Sequence, residues 1–144
     1  MERLNGALEN LIILDLTRVL AGPFCTMMLA DMGANVIKIE IPERGDDTRS
    51  YPPFKNNKSL YFANINRNKK GITLNLKAAE GKKIFRDLVK KADVVIENYR
   101  PDVMDRFGLG YDTLKETNPR IIYAAISGFG CYGPYSQRPG YDII

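Results

Sequence analysis

Arg18, Arg100 and Arg106 each fall in or just after a stretch that ends an apolar run. Arginine's planar fork suits bidentate contact with phosphate oxygens. The run Thr17-Arg18-Val19-Leu20-Ala21-Gly22-Pro23 leads straight into a helical pattern, whose free N–H groups and dipole favour an anion. It holds a single glycine, so the G-x-G-x-x-G fingerprint of dinucleotide binding is absent. Arg106 has Asp102 and Asp105 within one helical turn, so a surface ion pair and an anion contact both fit its position. There is no histidine, which removes Ser-His-Asp and Cys-His nucleophile schemes and histidine-containing zinc sites from these 144 residues. Cys25 and Cys131 lack the paired spacing of a metal or redox site, and Cys25 falls on an apolar helix as a small core residue. Asp15, inside an apolar strand, reads as a hydrogen-bonded structural carboxylate.

Charge narrows the partner. The net charge of +4 is uneven: residues 1–47 carry −4, residues 48–100 carry +9 and residues 101–144 carry −1. A basic middle segment suits an anionic partner. Lys82, Lys83, Lys90 and Lys91 fit a solvated helix face, whereas Arg67, Lys69 and Lys70, in a loop-like run, fit an anion contact as well as a plain surface. The segment also carries Tyr51, Phe54, Tyr61, Phe62 and Phe85, but no motif for base stacking or groove reading, and a nucleic-acid partner is not expected.

These residues need a frame. The run Leu11-Ile12-Ile13-Leu14-Asp15-Leu16 predicts a strand buried on both faces, and a helix follows from Gly22-Pro23 to about Met32. Val36-Ile37-Lys38-Ile39-Glu40 predicts a second strand, completing a β-α-β unit. Residues 41–70, rich in proline and asparagine, predict a long irregular excursion. Ile72, Leu74 and Leu76 alternate as in a half-exposed strand, and residues 78–91 predict a helix with Ile84, Phe85, Leu88 and Val89 on its apolar face. Residues 94–96 and 121–126 predict further buried strands, with short helices at 101–108 and 112–117 between them. The sum is one α/β domain: a Rossmann-like open, mostly parallel sheet with flanking helices. In such sheets ligands sit at the carboxyl ends of the strands, here near residues 17–22, 40–44, 97–101 and 127–133.

Several strings follow one another along the chain: Leu14-Asp15-Leu16-Thr17-Arg18-Val19-Leu20-Ala21-Gly22-Pro23-Phe24, Gly33-Ala34-Asn35-Val36-Ile37-Lys38-Ile39-Glu40 and Gly45-Asp46-Asp47-Thr48-Arg49. Asn66-Arg67-Asn68-Lys69-Lys70, Glu97-Asn98-Tyr99, Gly108-Leu109-Gly110-Tyr111 and Gly133-Pro134-Tyr135-Ser136-Gln137-Arg138-Pro139-Gly140-Tyr141-Asp142 come after them in order. Taken together, from Leu8 almost to the end, they resemble the N-terminal part of family III CoA-transferases, the CaiB/BaiF family. The resemblance implies that residues 1–144 are the N-terminal part of a large Rossmann-like CoA-binding domain, with the small domain elsewhere, in an enzyme whose two ring-shaped subunits interlock as a homodimer. It implies coenzyme A or acyl-CoA and a carboxylic acid, a dicarboxylate among the candidates, as substrates, with no metal. It implies a nucleophilic aspartate beyond Ile144, distinct from Asp142, so that this segment alone is inactive.

Carried over by motif, Arg18, Val19, Leu20 and Ala21 would line the first CoA loop, and Leu74 and Lys77 would flank the adenine and its phosphates. Asn98, Tyr99 and Arg100 would follow the third strand, Arg106 would meet phosphate, and Tyr141 would sit near the thioester. Formyl-CoA transferases carry glutamine where Leu20 stands, which speaks against oxalate or formate handling, and α-methylacyl-CoA racemases carry their catalytic histidine where Tyr141 stands, which speaks against epimerisation. A racemase-like enzyme and a non-catalytic CoA-binding fragment are the alternatives to CoA transfer. The apolar stretch from Val19 to Ala30 is too short for a membrane span, and no signal core opens the chain. No membrane partner is therefore expected, and the expected location is cytoplasmic, or an organelle interior if a targeting segment is missing.

Overall fold

A computed structural model describes residues 6–140. Strand β1 (Ile12–Asp15) leads into helix α1 (Ala21–Asp31) and strand β2 (Asn35–Glu40). After a 3-10 turn (Asp47–Ser50) come a hairpin of β3 (Phe54–Lys55) and β4 (Lys58–Ser59), helix α2 (Leu60–Ile65) and strand β5 (Lys70–Thr73). Helix α3 (Ala79–Val89), strand β6 (Val94–Glu97), helices α4 (Val103–Arg106) and α5 (Tyr111–Thr117), and strand β7 (Ile122–Ala125) complete the chain. The main sheet is five-stranded in the order β5-β2-β1-β6-β7, and every pairing in it is parallel. That is the Rossmann order, with β1 at the centre.

The apolar strands divide the core between two faces. Leu14, Ile39 and Val95 join Phe85 and Val89 of α3, Met104 of α4 and Leu114 of α5 on one side. Ile13, Val36 and Ile96 meet Ala30 of α1 on the other. Period-2 alternation therefore puts neighbouring residues of one strand into different layers, as a doubly covered sheet requires. Gly22 lets α1 start tight against β1, because a Cβ there would lie 2.3 Å from the Thr17 Cβ.

Three expectations need correction. The fifth strand is Lys70–Thr73, not residues 72–76; Leu74 and Leu76 lie beyond it and are buried under α3, so their alternation reflects core packing. Ile84 is 50% exposed, because Gly81, Phe85 and Val89 already fill the narrow face that α3 buries. Residues 41–70 are more ordered than expected. Asn56 and Asn57 both take positive φ in a two-residue hairpin turn, and the Ser59 hydroxyl accepts the Phe62 N–H at 3.1 Å to cap α2. No described helix is long and apolar enough to cross a membrane.

Candidate functional site

The order of strands creates the site. From β1 the chain crosses to β2 on one side, and from β6 it crosses to β7 on the other, so a crevice opens between the carboxyl ends of β1 and β6. The loops that flank it are residues 17–20 and 98–102. They are joined by one side chain: Asn98 Oδ1 accepts the Arg18 N–H at 2.8 Å, and Asn98 Nδ2 donates to the Arg18 carbonyl at 2.8 Å. The Arg18 guanidinium lies 5.6 Å from the Tyr99 ring centroid and 3.5 Å from Asp47 Oδ2. Burial pushes the Tyr99 hydroxyl pKa up, so the ring presents a neutral face to the cation.

Val19, Leu20 and Ala21 complete the first loop. Val19 has φ +69°, Leu20 is 40% exposed, and Ala21 opens α1. No side chain caps α1, and its first turn holds no acidic residue. Its first N–H groups and the positive end of its dipole are thus left for an anion from outside. Arg18, Asn98 and Tyr99 therefore meet at one crevice, while Val19, Leu20 and Ala21 follow along its first loop and the Leu20 side chain lines a separate cavity with Phe24, Pro53 and Leu60.

The others are more dispersed. Arg100 is exposed on the loop after β6, and Arg106 is exposed at the end of α4. Among the described residues Arg106 forms no ion pair; the Asp105 carboxylate instead lies against Gly110. Lys77 is exposed beyond β5, its N–H held by Asn75 Oδ1 at 3.0 Å. Leu74 is 8% exposed and belongs to the core, which leaves its side chain little surface for an adenine. Tyr141 lies outside the described residues.

Most cations of the basic middle segment stay at the surface, but several are taken by partners within the fold. The Lys69 side chain is buried, its Nζ 3.1 Å from Asp15 Oδ2, 2.9 Å from the Pro23 carbonyl and 2.9 Å from Asn66 Oδ1. Burial lowers the Lys69 pKa, with Asp15 opposing the shift. Arg67 pairs with Asp31, and Arg49 forms two 2.7 Å bonds with Glu40. Lys82 leans toward the Phe107 ring, and Lys90 pairs with Asp87 at 2.7 Å on the solvent face of α3. Asp15, fully buried, also accepts the Thr17 N–H, the Thr17 hydroxyl and the Thr26 hydroxyl, which makes it the structural carboxylate its position suggested. Cys25, expected in the core, is partly exposed.

Sequence reasoning missed the buried charges on β2. Val36, Lys38 and Glu40 share one face of that strand, and all three are buried. Lys38 pairs with Asp46 at 2.9 Å, and the Glu40 and Asp46 carboxyls are both held below their usual pKa because Arg49 and Lys38 outweigh the opposing effect of burial. A lysine in register with a core valine was the available signal, since a charge on that face needs a partner. Glu97 is different: burial raises its pKa, while it accepts the Tyr99 N–H at 2.7 Å and the Tyr123 hydroxyl at 3.3 Å. Among the described residues no cluster of three or more His, Cys, Asp or Glu is placed to hold a metal ion.

Known proteins resemble this chain over nearly its whole length. The chain is 52% identical over 139 residues to an acetyl-CoA:oxalate CoA-transferase of Acetobacter aceti, covering 96% of this chain and 36% of that protein. It is 53% identical over 138 residues to the succinyl-CoA:glutarate CoA-transferase of Homo sapiens, covering 95% and 32%. A crystal structure of a CaiB/BaiF family protein from Brucella suis superposes with TM-score 0.91 at 45% identity, covering 96% of this chain and 38% of the other. The chain thus spans about a third of the length of the curated relatives it matches. Residues 8–144 match the family described as CoA-transferase family III, and the chain belongs to that family.

Proposed function

We propose that the intact protein moves coenzyme A from an acyl-CoA donor to a carboxylic acid acceptor, and that residues 1–144 supply much of its CoA-binding surface. The crevice between β1 and β6 carries this reading: a doubly held Arg18 backbone, a cationic side chain at its mouth and an uncapped α1 N-terminus suit a phosphate-rich ligand. A dicarboxylate acceptor is favoured, because relatives at about half identity are named for oxalate and glutarate. The reaction would run through covalent aspartyl intermediates on an aspartate outside this segment, in an interlocked homodimer. These residues would bind and orient; the nucleophile would do the chemistry.

Arg106→Ala should weaken CoA binding by about tenfold or more, since a charge-assisted hydrogen bond is worth roughly 1.5–3 kcal/mol. Lys90→Ala, on the exposed pair with Asp87, should leave it unchanged. Calorimetric titration of the intact enzyme compares the two, and equal losses would refute the assignment of Arg106.

The reaction type is tested by isotope. Epimerising a 2-methylacyl-CoA needs two poised acid–base groups, and a tyrosine with reference pKa about 10 stands where the related racemases carry histidine. In deuterated water the enzyme should exchange CoA among carboxylic acids and incorporate no α-deuterium. Rapid incorporation without any exchange would overturn the transferase reading.

A further inference from the structure

Val19 is β-branched and sits at φ +69°, a left-handed backbone that such a residue keeps only when its surroundings hold it there. The polar groups of the two peptides around Arg18 show what holds it. The carbonyl of Thr17 accepts from Lys38 Nζ at 2.9 Å, and the N–H of Arg18 donates to Asn98 Oδ1 at 2.8 Å. The carbonyl of Arg18 accepts from Asn98 Nδ2 at 2.8 Å, and the N–H of Val19 donates to Asp46 Oδ1 at 3.3 Å. All four groups of two consecutive peptides are thus taken by side chains. Lys38 and Asp46 also hold each other at 2.9 Å, with side chains 2% and 0% exposed. Asp46 is fixed in turn by the Thr48 N–H at 2.9 Å and the Thr48 hydroxyl at 2.8 Å.

We propose that Lys38 and Asp46 are positioning residues for coenzyme A: a buried ion pair that need not touch the ligand, yet sets the Val19 backbone and so the placement of Arg18 against the N-terminus of α1. The proposal rests on the CoA reading above. Rotation of φ at Val19 would swing Arg18 and everything before it relative to Leu20 and Ala21. Neither residue adds charge to the crevice, since each neutralises the other. Their contribution is shape.

A purely structural pair would only fasten residues 41–50 to the sheet. A glycine rescue separates the two roles, because glycine takes φ near +69° without strain. In the intact enzyme, Asp46→Ala should raise the CoA dissociation constant about tenfold, and less than about threefold in the Val19→Gly background. Isothermal titration with CoA reads all four proteins of the cycle. If Asp46→Ala does not accumulate folded, Lys38→Met/Asp46→Leu leaves no unpaired buried charge and carries the same expectation. Equal losses in both backgrounds, or an unchanged dissociation constant, would overturn the positioning role while the CoA reading stands. Failure of the unaltered enzyme to bind CoA would overturn that reading and this inference with it.

Discussion

Asp15→Ala should lower the unfolding free energy of the intact enzyme by about 3–5 kcal/mol, the usual consequence of removing one partner of a buried ion pair. Asp15 is fully buried, and it accepts four donors from three places in the sequence: the Thr17 N–H and hydroxyl, the Thr26 hydroxyl and Lys69 Nζ. Alanine would strand the Lys69 ammonium, 2% exposed, with only the Pro23 carbonyl and Asn66 Oδ1 for company. It would also leave the Thr17 hydroxyl and N–H without their acceptor, while the Thr26 hydroxyl keeps the Gly22 and Pro23 carbonyls at 3.2 Å. Asp15→Leu/Lys69→Met should lose less than the sum of its single variants, because it removes the stranded charge along with its partner. Asp87→Ala, which opens the exposed pair with Lys90, should leave the transition midpoint unchanged. Urea unfolding at equilibrium measures the series, and a loss below about 1 kcal/mol for Asp15→Ala would contradict the buried pair.

The second large effect is on binding. Asn98→Ala breaks two 2.8 Å hydrogen bonds that tie the β6 loop to the β1 loop. At about 1 kcal/mol each the loss is about 2 kcal/mol, or roughly 30-fold in CoA affinity if the loops lose their register. Asn98→Asp keeps the acceptor for the Arg18 N–H but replaces the donor to the Arg18 carbonyl with a carboxylate oxygen. Its affinity should fall at least as far, because two oxygens then face each other and a negative charge enters the anion-binding crevice. Titration with CoA decides, and an unchanged dissociation constant for Asn98→Ala in a folded enzyme would show that the two loops hold their register without it.

Much of the frame was readable because buried parallel strands write themselves as apolar runs. Ile12–Asp15, Asn35–Glu40, Val94–Glu97 and Ile122–Ala125 lie where those runs fall. Leu74 and Leu76 misled, because alternation near a strand end cannot be told from two side chains dropping into a core after it. Helix α2, six residues with two asparagines nearby, has too little periodicity to announce itself. The crevice was legible as a place, through the strand-end rule and Arg18. The charges that shape it were not. Lys69 and Asp15 are 54 positions apart, and a lysine in a polar run looks solvated until the fold supplies its partner. Asn98 was expected as a ligand contact, whereas its amide oxygen and one amide proton are already committed to Arg18.

The strand order also sets a schedule for synthesis. β1 lies between β2 and β6, with β1 near the start of the chain and β6 ending at Glu97. As the protein leaves the ribosome, β5, β2 and β1 can pair once Thr73 has emerged, but the other edge of β1 waits for residues 94–97. At about 5–20 residues per second, that wait is on the order of 1–5 s. Throughout it the backbone donors and acceptors of Ile12 and Leu14, which face the place β6 will take, form an open sheet edge. The nascent chain is therefore at its stickiest just before α3 and β6 arrive to close its centre.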